Sequence, residues 1–189
     1  MERAPKKYEE YAYILDDLPR GKPGAARSPF QGKPLLQLLG ETYFTLLEAV
    51  PRVGMSFEMN ERLYVGKKGR TKVEHVLGRV TYDELTSTAK AELQPVTEII
   101  IRKDSTHFID FFNTSQPVTS RMHSMELIPG IGKRLMWQII DQRERVPFDT
   151  YEDLQTRTSM SDPVKLLAKR ILKELSSDEK YYLFTRPIH

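Results

Sequence analysis

The run Met125-Glu126-Leu127-Ile128-Pro129-Gly130-Ile131-Gly132-Lys133-Arg134 restricts the fold more than any other stretch, because it reads as a tight turn joining two helices. Pro129 fixes φ. Gly130 and Gly132 can take the positive φ of a left-handed turn, and without a Cβ they let an anion approach the main chain closely. We expect the positive φ at Gly132, at the mouth of the second helix. Past it, Leu135, Met136, Ile139, Ile140 and Arg143 recur at helical spacing on one face. Ahead of it, Met122, Met125 and Ile128 repeat at i, i+3 and predict a short amphipathic helix. The first-turn amides of the second helix have no partner within it, and Lys133 and Arg134 lie beside them. Gly130, Ile131, Gly132, Lys133 and Arg134 are therefore the candidate phosphate-binding residues.

The flanks extend the pattern. Pro147-Phe148-Asp149-Thr150-Tyr151-Glu152-Asp153-Leu154 predicts a polar cap opening a further helix, with Phe148 and Leu154 returning to the core. Together these residues resemble the helix-hairpin-helix motif; Met136 departs from it, since such motifs carry a small alanine there. Farther on, Asp162 as cap and Pro163 as first residue open an amphipathic helix through Leu166, Leu167, Ala168, Ile171, Leu172 and Leu175. The turn before it, Thr158-Ser159-Met160-Ser161, has no glycine. We read it as a degenerate second hairpin that packs against the first and makes a poor phosphate site.

Composition narrows the classes. There is no cysteine, which excludes disulfides and thiolate metal sites and suits a reducing interior. Met1–Lys7 lacks an apolar signal core and no apolar run approaches spanning length, so a soluble, cytoplasmic protein without membrane partners is expected. The four histidines show no metal-ligand spacing, and no Walker loop, dinucleotide fingerprint or nucleophile elbow occurs, so neither metal nor cofactor is expected.

A net charge of +3 is mildly basic, but its placement is uneven. Arg20, Lys22, Arg27 and Lys33 fall in a stretch without acids, threaded with Pro19, Pro23, Pro29 and Pro34, which predicts an extended basic loop. Arg62, Lys67, Lys68, Arg70, Lys72 and Arg79 face Glu74 alone. Within that stretch Lys67, Lys68, Arg70 and Lys72 separate two strand-like segments. We expect them at a hairpin tip, where they would add nucleic-acid contacts.

Strand signals fall at Tyr8–Leu15, Glu41–Val50, Arg62–Gly66, Val73–Val80 and Thr106–Phe112. Between the fourth and fifth, Thr81 and Glu84 form a capping-box pair ahead of Leu85, Ala89, Leu93, Val96 and Ile100 at helical spacing, with a kink or restart expected at Pro95. Five strands and a helix predict an α+β first domain, an OB-like small β-barrel over 1–117, followed by an all-α helix-hairpin-helix domain over 118–189. The helix is misplaced for that barrel, which has it between the third and fourth strands. Tyr11, Tyr13, Tyr43, Phe44, Tyr64, Phe108 and Phe111 are mostly core, with a base-stacking platform as the alternative.

Beyond single motifs, Glu41–Glu48, Leu63–Lys67, His107–Asn113, Thr119–Leu127 and Asp162–Lys165 are similar to an archaeal family known as domain of unknown function 655, over nearly the whole chain. The resemblance implies an OB-like domain, a helix-hairpin-helix domain and a nucleotide- or RNA-binding role, and supplies no catalytic residue. Its members' genes lie near those for translation and ribosomal-RNA modification, which favours RNA over DNA. Helix-hairpin-helix glycosylases carry a nucleophilic lysine and a carboxylate where this chain has Arg134 and Glu152, and arginine cannot lose its proton to form a Schiff base.

The reading is a non-enzymatic, sequence-tolerant nucleic-acid-binding protein. The alternatives are a nuclease that uses the hairpin as a clamp, and a scaffold in which Trp137 and the aromatic tail Tyr181–Arg186 meet a protein partner. Inter-domain packing is the plainer expectation for Trp137, and docking on a neighbouring surface for the tail.

Overall fold

In the computed structural model, residues 8–22 and 32–186 are described; Arg27 with Pro23 and Pro29, Met1–Lys7 and His189 lie outside them. The chain is α+β and divides into two compact units. One runs to Val96 and takes in the chain again from Phe184; the other is Thr97–Leu183. The division falls inside a helix, earlier than the 117/118 boundary read from the sequence.

The first unit is a curled five-stranded antiparallel sheet of β1 (Tyr11–Leu18), β2 (Leu35–Gly40), β3 (Leu46–Pro51), β4 (Arg62–Tyr64) and β5 (Val73–Arg79), ordered β4-β1-β2-β3-β5. Alternation sets its faces: Ala12, Ile14, Leu36, Leu38, Leu47, Ala49, Leu63, Val65 and Val73 form one buried cluster. Every residue of β2 is buried, so the strand is covered on both faces. Its Leu-Leu-Gln-Leu-Leu run has no alternation for that reason, and sequence reading passed over it. Gln37, fully buried in β2, donates to Glu48 Oε1 (2.9 Å) and the Glu84 carbonyl (3.1 Å) and accepts from the Thr86 amide (2.9 Å).

Residues Glu41–Thr45, read as strand, form a turn instead. The buried Glu9 carboxylate accepts from the amides of Thr42, Tyr43 and Thr45 at 2.9, 3.0 and 3.2 Å, so those donors are withdrawn from any ladder. A Cβ on Gly40 would sit 2.2 Å from the Glu9 carboxyl carbon, which explains the glycine.

Helix α1 (Ser87–Lys103) begins later than the capping box implied. Thr81 and Glu84 do pair, at 2.7 Å from the Thr81 amide, but they open only a one-turn 3₁₀ segment, Tyr82–Glu84. The cap of α1 is Thr86, whose hydroxyl oxygen accepts from the Ala89 amide (3.0 Å) while its proton goes to Asp16 (2.5 Å). The helix continues through Pro95 without restarting.

The second unit holds the end of α1, then α2 (Ser105–Thr114), a small hairpin of β6 (Pro117–Thr119) and β7 (Met122–His123), and helices α3 (Lys133–Arg145), α4 (Tyr151–Arg157) and α5 (Pro163–Ser176). α2 occupies the stretch read as the fifth strand. Its aromatic residues carry strand propensity, but Phe108, Ile109 and Phe112 lie on one helical face and are buried together, and burial overrides local preference. α1 therefore follows all five strands of the sheet. The core of this unit also takes in Met136, Ile139, Phe148, Leu154, Leu167 and Ile171, as the spacing of the helical segments predicts.

Candidate nucleic-acid interface

The Pro-Gly turn is built from its own chemistry. The Ile131 amide donates to the Ile128 carbonyl at 3.0 Å, with Pro129 second and Gly130 third at φ +97°, which is the arrangement of a type II turn. The positive φ is thus at Gly130. Gly132, where we expected it, has φ −89° and ψ 176°, extended backbone open to any residue. What distinguishes Gly132 is its small size: a Cβ there would meet nothing within 4 Å, so the approach to the helix mouth is open.

Helix α3 starts on this glycine, with the Met136 amide donating to the Gly132 carbonyl at 2.9 Å, and no side chain caps it. Lys133 and Arg134 stand exposed beside the uncapped amides, and neither has a hydrogen-bond or salt-bridge partner among the described residues. The other two helices of this region are capped. Thr150 accepts from the Asp153 amide and Asp162 from the Lys165 amide, each at 3.1 Å. At the second turn an aspartate oxygen therefore fills the place that α3 leaves open.

The segment before the turn is not the expected amphipathic helix but β7 followed by a single 3₁₀ turn, Ser124–Leu127. His123 Nδ1 accepts from the Met125 amide (3.2 Å) and the His123 amide donates to Glu126 (2.8 Å), closing a box after which Pro129 prevents continuation. Burial, helped by the nearby Arg143 charge, holds the His123 imidazole below its ordinary pKa. Arg143 is itself half-buried and donates to the Phe112 carbonyl (2.8 Å) and Ser115 carbonyl (2.9 Å), so it ties α3 to the C-terminal end of α2.

Arg170 braces the turn from below. It is 1% exposed and donates to Glu174 (2.8 Å), Glu179 (3.2 Å), the Tyr181 carbonyl and the Leu127 carbonyl (3.2 Å). Leu166 lies 3.0 Å from where a Gly130 Cβ would be. Sequence reading missed Arg170. The available signal was its place among Leu167, Ile171 and Glu174, where an arginine on a buried helical face requires partners.

In the first unit the predicted hairpin tip is not one. β4 and β5 lie on opposite edges of the sheet, so Gly66–Lys72 connects the edges instead of turning between neighbours. Arg70 donates to the carbonyls of Val65 (3.1 Å) and Gly66 (2.6 Å), which folds the loop over its own side chain. Lys72 reaches Glu61 (2.6 Å) and the Ser56 carbonyl (3.1 Å). Against the cost of burial, the Lys72 contact helps hold the Glu61 carboxyl below its ordinary pKa. Lys67 and Lys68 remain exposed, with the Lys67 ammonium 4.2 Å from the centre of the Tyr8 ring.

Of the candidate platform, Tyr13 and Phe44 are buried, while Phe108 and Phe111 belong to α2 in the other unit. Tyr11 and Tyr64 pack edge to face at 5.3 Å, and the Arg62 guanidinium, itself paired with Glu41, lies over the Tyr11 ring. Asp153 is paired with Arg157 at 2.9 Å. The tail docks through the Leu183 amide on Glu174 (2.8 Å) and, in the first unit, through Arg186 over Tyr43 (4.8 Å). Among the described residues no helix is long and apolar enough to cross a membrane.

With this geometry in place, comparison with known proteins gives a family. The model of the family described as "Protein of unknown function (DUF655)" matches residues 8–186. The uncharacterised protein MJ0038 of Methanocaldococcus jannaschii is 42% identical over 184 residues, covering 96% of this chain and 82% of that protein. The crystal structure of Af1531 from Archaeoglobus fulgidus, described with the same family, superposes with a TM-score of 0.86 at 42% identity, covering 94% of this chain and all of the other. The chain belongs to the DUF655 family.

Proposed function

We propose that this DUF655 protein binds nucleic acid without regard to sequence, gripping the sugar–phosphate backbone at the Pro129–Arg134 turn, and that binding rather than catalysis is its activity. One observation carries the reading: the mouth of α3 has no side-chain cap, opens through a glycine with nothing over it, and is flanked by two exposed cations. Backbone amides at a helix start and Lys or Arg side chains are the groups that hold phosphate, and they carry no base code. We read the second unit as a helix-hairpin-helix domain whose first helix is shortened to the Ser124–Leu127 turn. The first unit reads as OB-like: a β1-β2-β3 meander with β4 returning to β1 and β5 to β3, lacking a helix between the third and fourth strands. Lys67 and Lys68 add charge from that unit. RNA is preferred to DNA on the family resemblance.

The test is a titration of labelled mixed-sequence RNA and DNA over a salt series. The two phosphate contacts at the turn, from Lys133 and Arg134, predict a log–log slope of about −1.4 for a single strand and about −1.8 for a duplex. Affinity that ignores salt, or no binding at low salt, refutes the proposal.

A further inference from the structure

We infer that Trp137 is a stacking platform for an unpaired base, so that the preferred ligand is single-stranded nucleic acid rather than duplex. This rests on the reading of the α3 mouth as a phosphate grip. Trp137 is 58% exposed on α3, its indole N–H has no acceptor and its ring no aromatic or cationic neighbour among the described residues. A large ring held open in this way on a rigid helix is unusual for a side chain that has finished its packing.

Its position relates it to the turn. At about 100° per residue, Lys133 and Arg134 fall on either side of Trp137, roughly 40° and 60° round the helix and one turn nearer the mouth. Helical side chains lean toward the N-terminus and cover the turn before their own Cα, so residue 137 serves the part of the helix surface nearer the mouth. The rise between Lys133 and Trp137 is about 6 Å, a separation that one nucleotide spans from its phosphate to its own base.

The far side of the same face is acidic. Asp141 and Glu144, both exposed, follow one and two turns beyond Trp137. A backbone that continued along α3 would meet them, whereas a phosphate at the mouth with its neutral base laid back on the indole would not. A base paired within a duplex cannot offer its face to a side chain without leaving the stack, so this arrangement selects for bases already free.

Trp137 is the sole tryptophan, so the intact protein reports on it directly. An eight-nucleotide oligouridylate and the matching oligodeoxythymidylate should quench its fluorescence saturably, and the two arms compare RNA with DNA. A blunt mixed-sequence duplex should bind with little quenching. By anisotropy of labelled strands, Trp137→Leu should weaken single-strand binding roughly 5- to 150-fold and leave duplex binding unchanged, while Trp137→Phe recovers most of it. If Trp137→Leu binds single strands as tightly as the parent, or loses the duplex equally, the inference is wrong while the grip at the turn stands. If Gly132→Asp leaves all three ligands bound as before, the grip is wrong and the stacking role falls with it.

Discussion

The two long helices of the second unit begin in opposite ways. α5 opens on Asp162, whose carboxylate takes the Lys165 amide at 3.1 Å, with Pro163 removing another donor. α3 opens on Gly132, which offers nothing to its own amides and stands next to two exposed cations. A helix start needs an acceptor for its first amides, and a side chain supplies one at α5 but not at α3. The difference separates a helix start satisfied by a side chain of the fold from one that is not, which the proposed function assigns to a phosphate, and it can be attacked residue by residue.

The largest effect should come from removing the brace. Arg170→Ala leaves Glu174 buried without its cation and releases the Leu127 carbonyl, which should lower stability by about 3–5 kcal/mol. Thermal unfolding measures this. The double replacement Arg170→Met with Glu174→Leu should recover only part of it, because two apolar groups can replace the buried ion pair but not the bonds to the Leu127 and Tyr181 carbonyls and the Leu183 amide. If the single variant unfolds like the parent, the buried network does not support the turn.

Next come the two glycines, which should fail in different ways. Gly132→Asp copies the α5 start onto α3. Stability should hold or rise by a few tenths of a kcal/mol as the new carboxylate caps the helix, while nucleic-acid affinity falls by about 100-fold because that carboxylate occupies the anion's place. Gly130→Ala should do the reverse. It forces an alanine to φ +97° and against Leu166, costing about 1–2 kcal/mol in unfolding experiments, with binding by the folded fraction falling far less than for Gly132→Asp. Should Gly132→Asp bind normally, the contrast between the two helix starts has no functional meaning.

The smallest effect is at the capped start. Asp162→Ala should cost about 1 kcal/mol of stability and leave binding as it was. A marked loss of nucleic-acid binding would show that the second turn also belongs to the interface.

Several parts of this arrangement could be read directly. Thr150, Asp162 and Pro163 open helices because a short polar side chain or a missing donor suits the first turn wherever it occurs, and Phe148 and Leu154 are buried as the pattern requires. Other parts could not. Leu35–Gly40 was invisible as a strand because burial on both faces erases alternation, and Thr106–Phe112 looked like a strand because aromatic residues favour one when nothing else decides. At the site, the residues Pro129–Arg134 were correctly singled out as a turn into a helix, but the positive φ was assigned to the wrong glycine. The choice between Gly130 and Gly132 depends on the Ile131 to Ile128 hydrogen bond, which closes only when the turn is formed.

The sequence by itself determined the turn at Pro129–Gly130 and the helix starts at Gly132, Thr150 and Asp162, because those depend on side chains within a few residues of the backbone groups they serve. Tertiary structure decided which cations stay exposed. Lys67, Lys68, Arg70 and Lys72 are equivalent as a charge run, but once the sheet forms, Arg70 is spent on the carbonyls of its own loop and Lys72 on Glu61, while Lys67 and Lys68 stay exposed. A partner such as Glu61, brought near by folding, has no local signature. Whether a charge serves the protein or is left for a ligand is therefore settled only when distant segments meet.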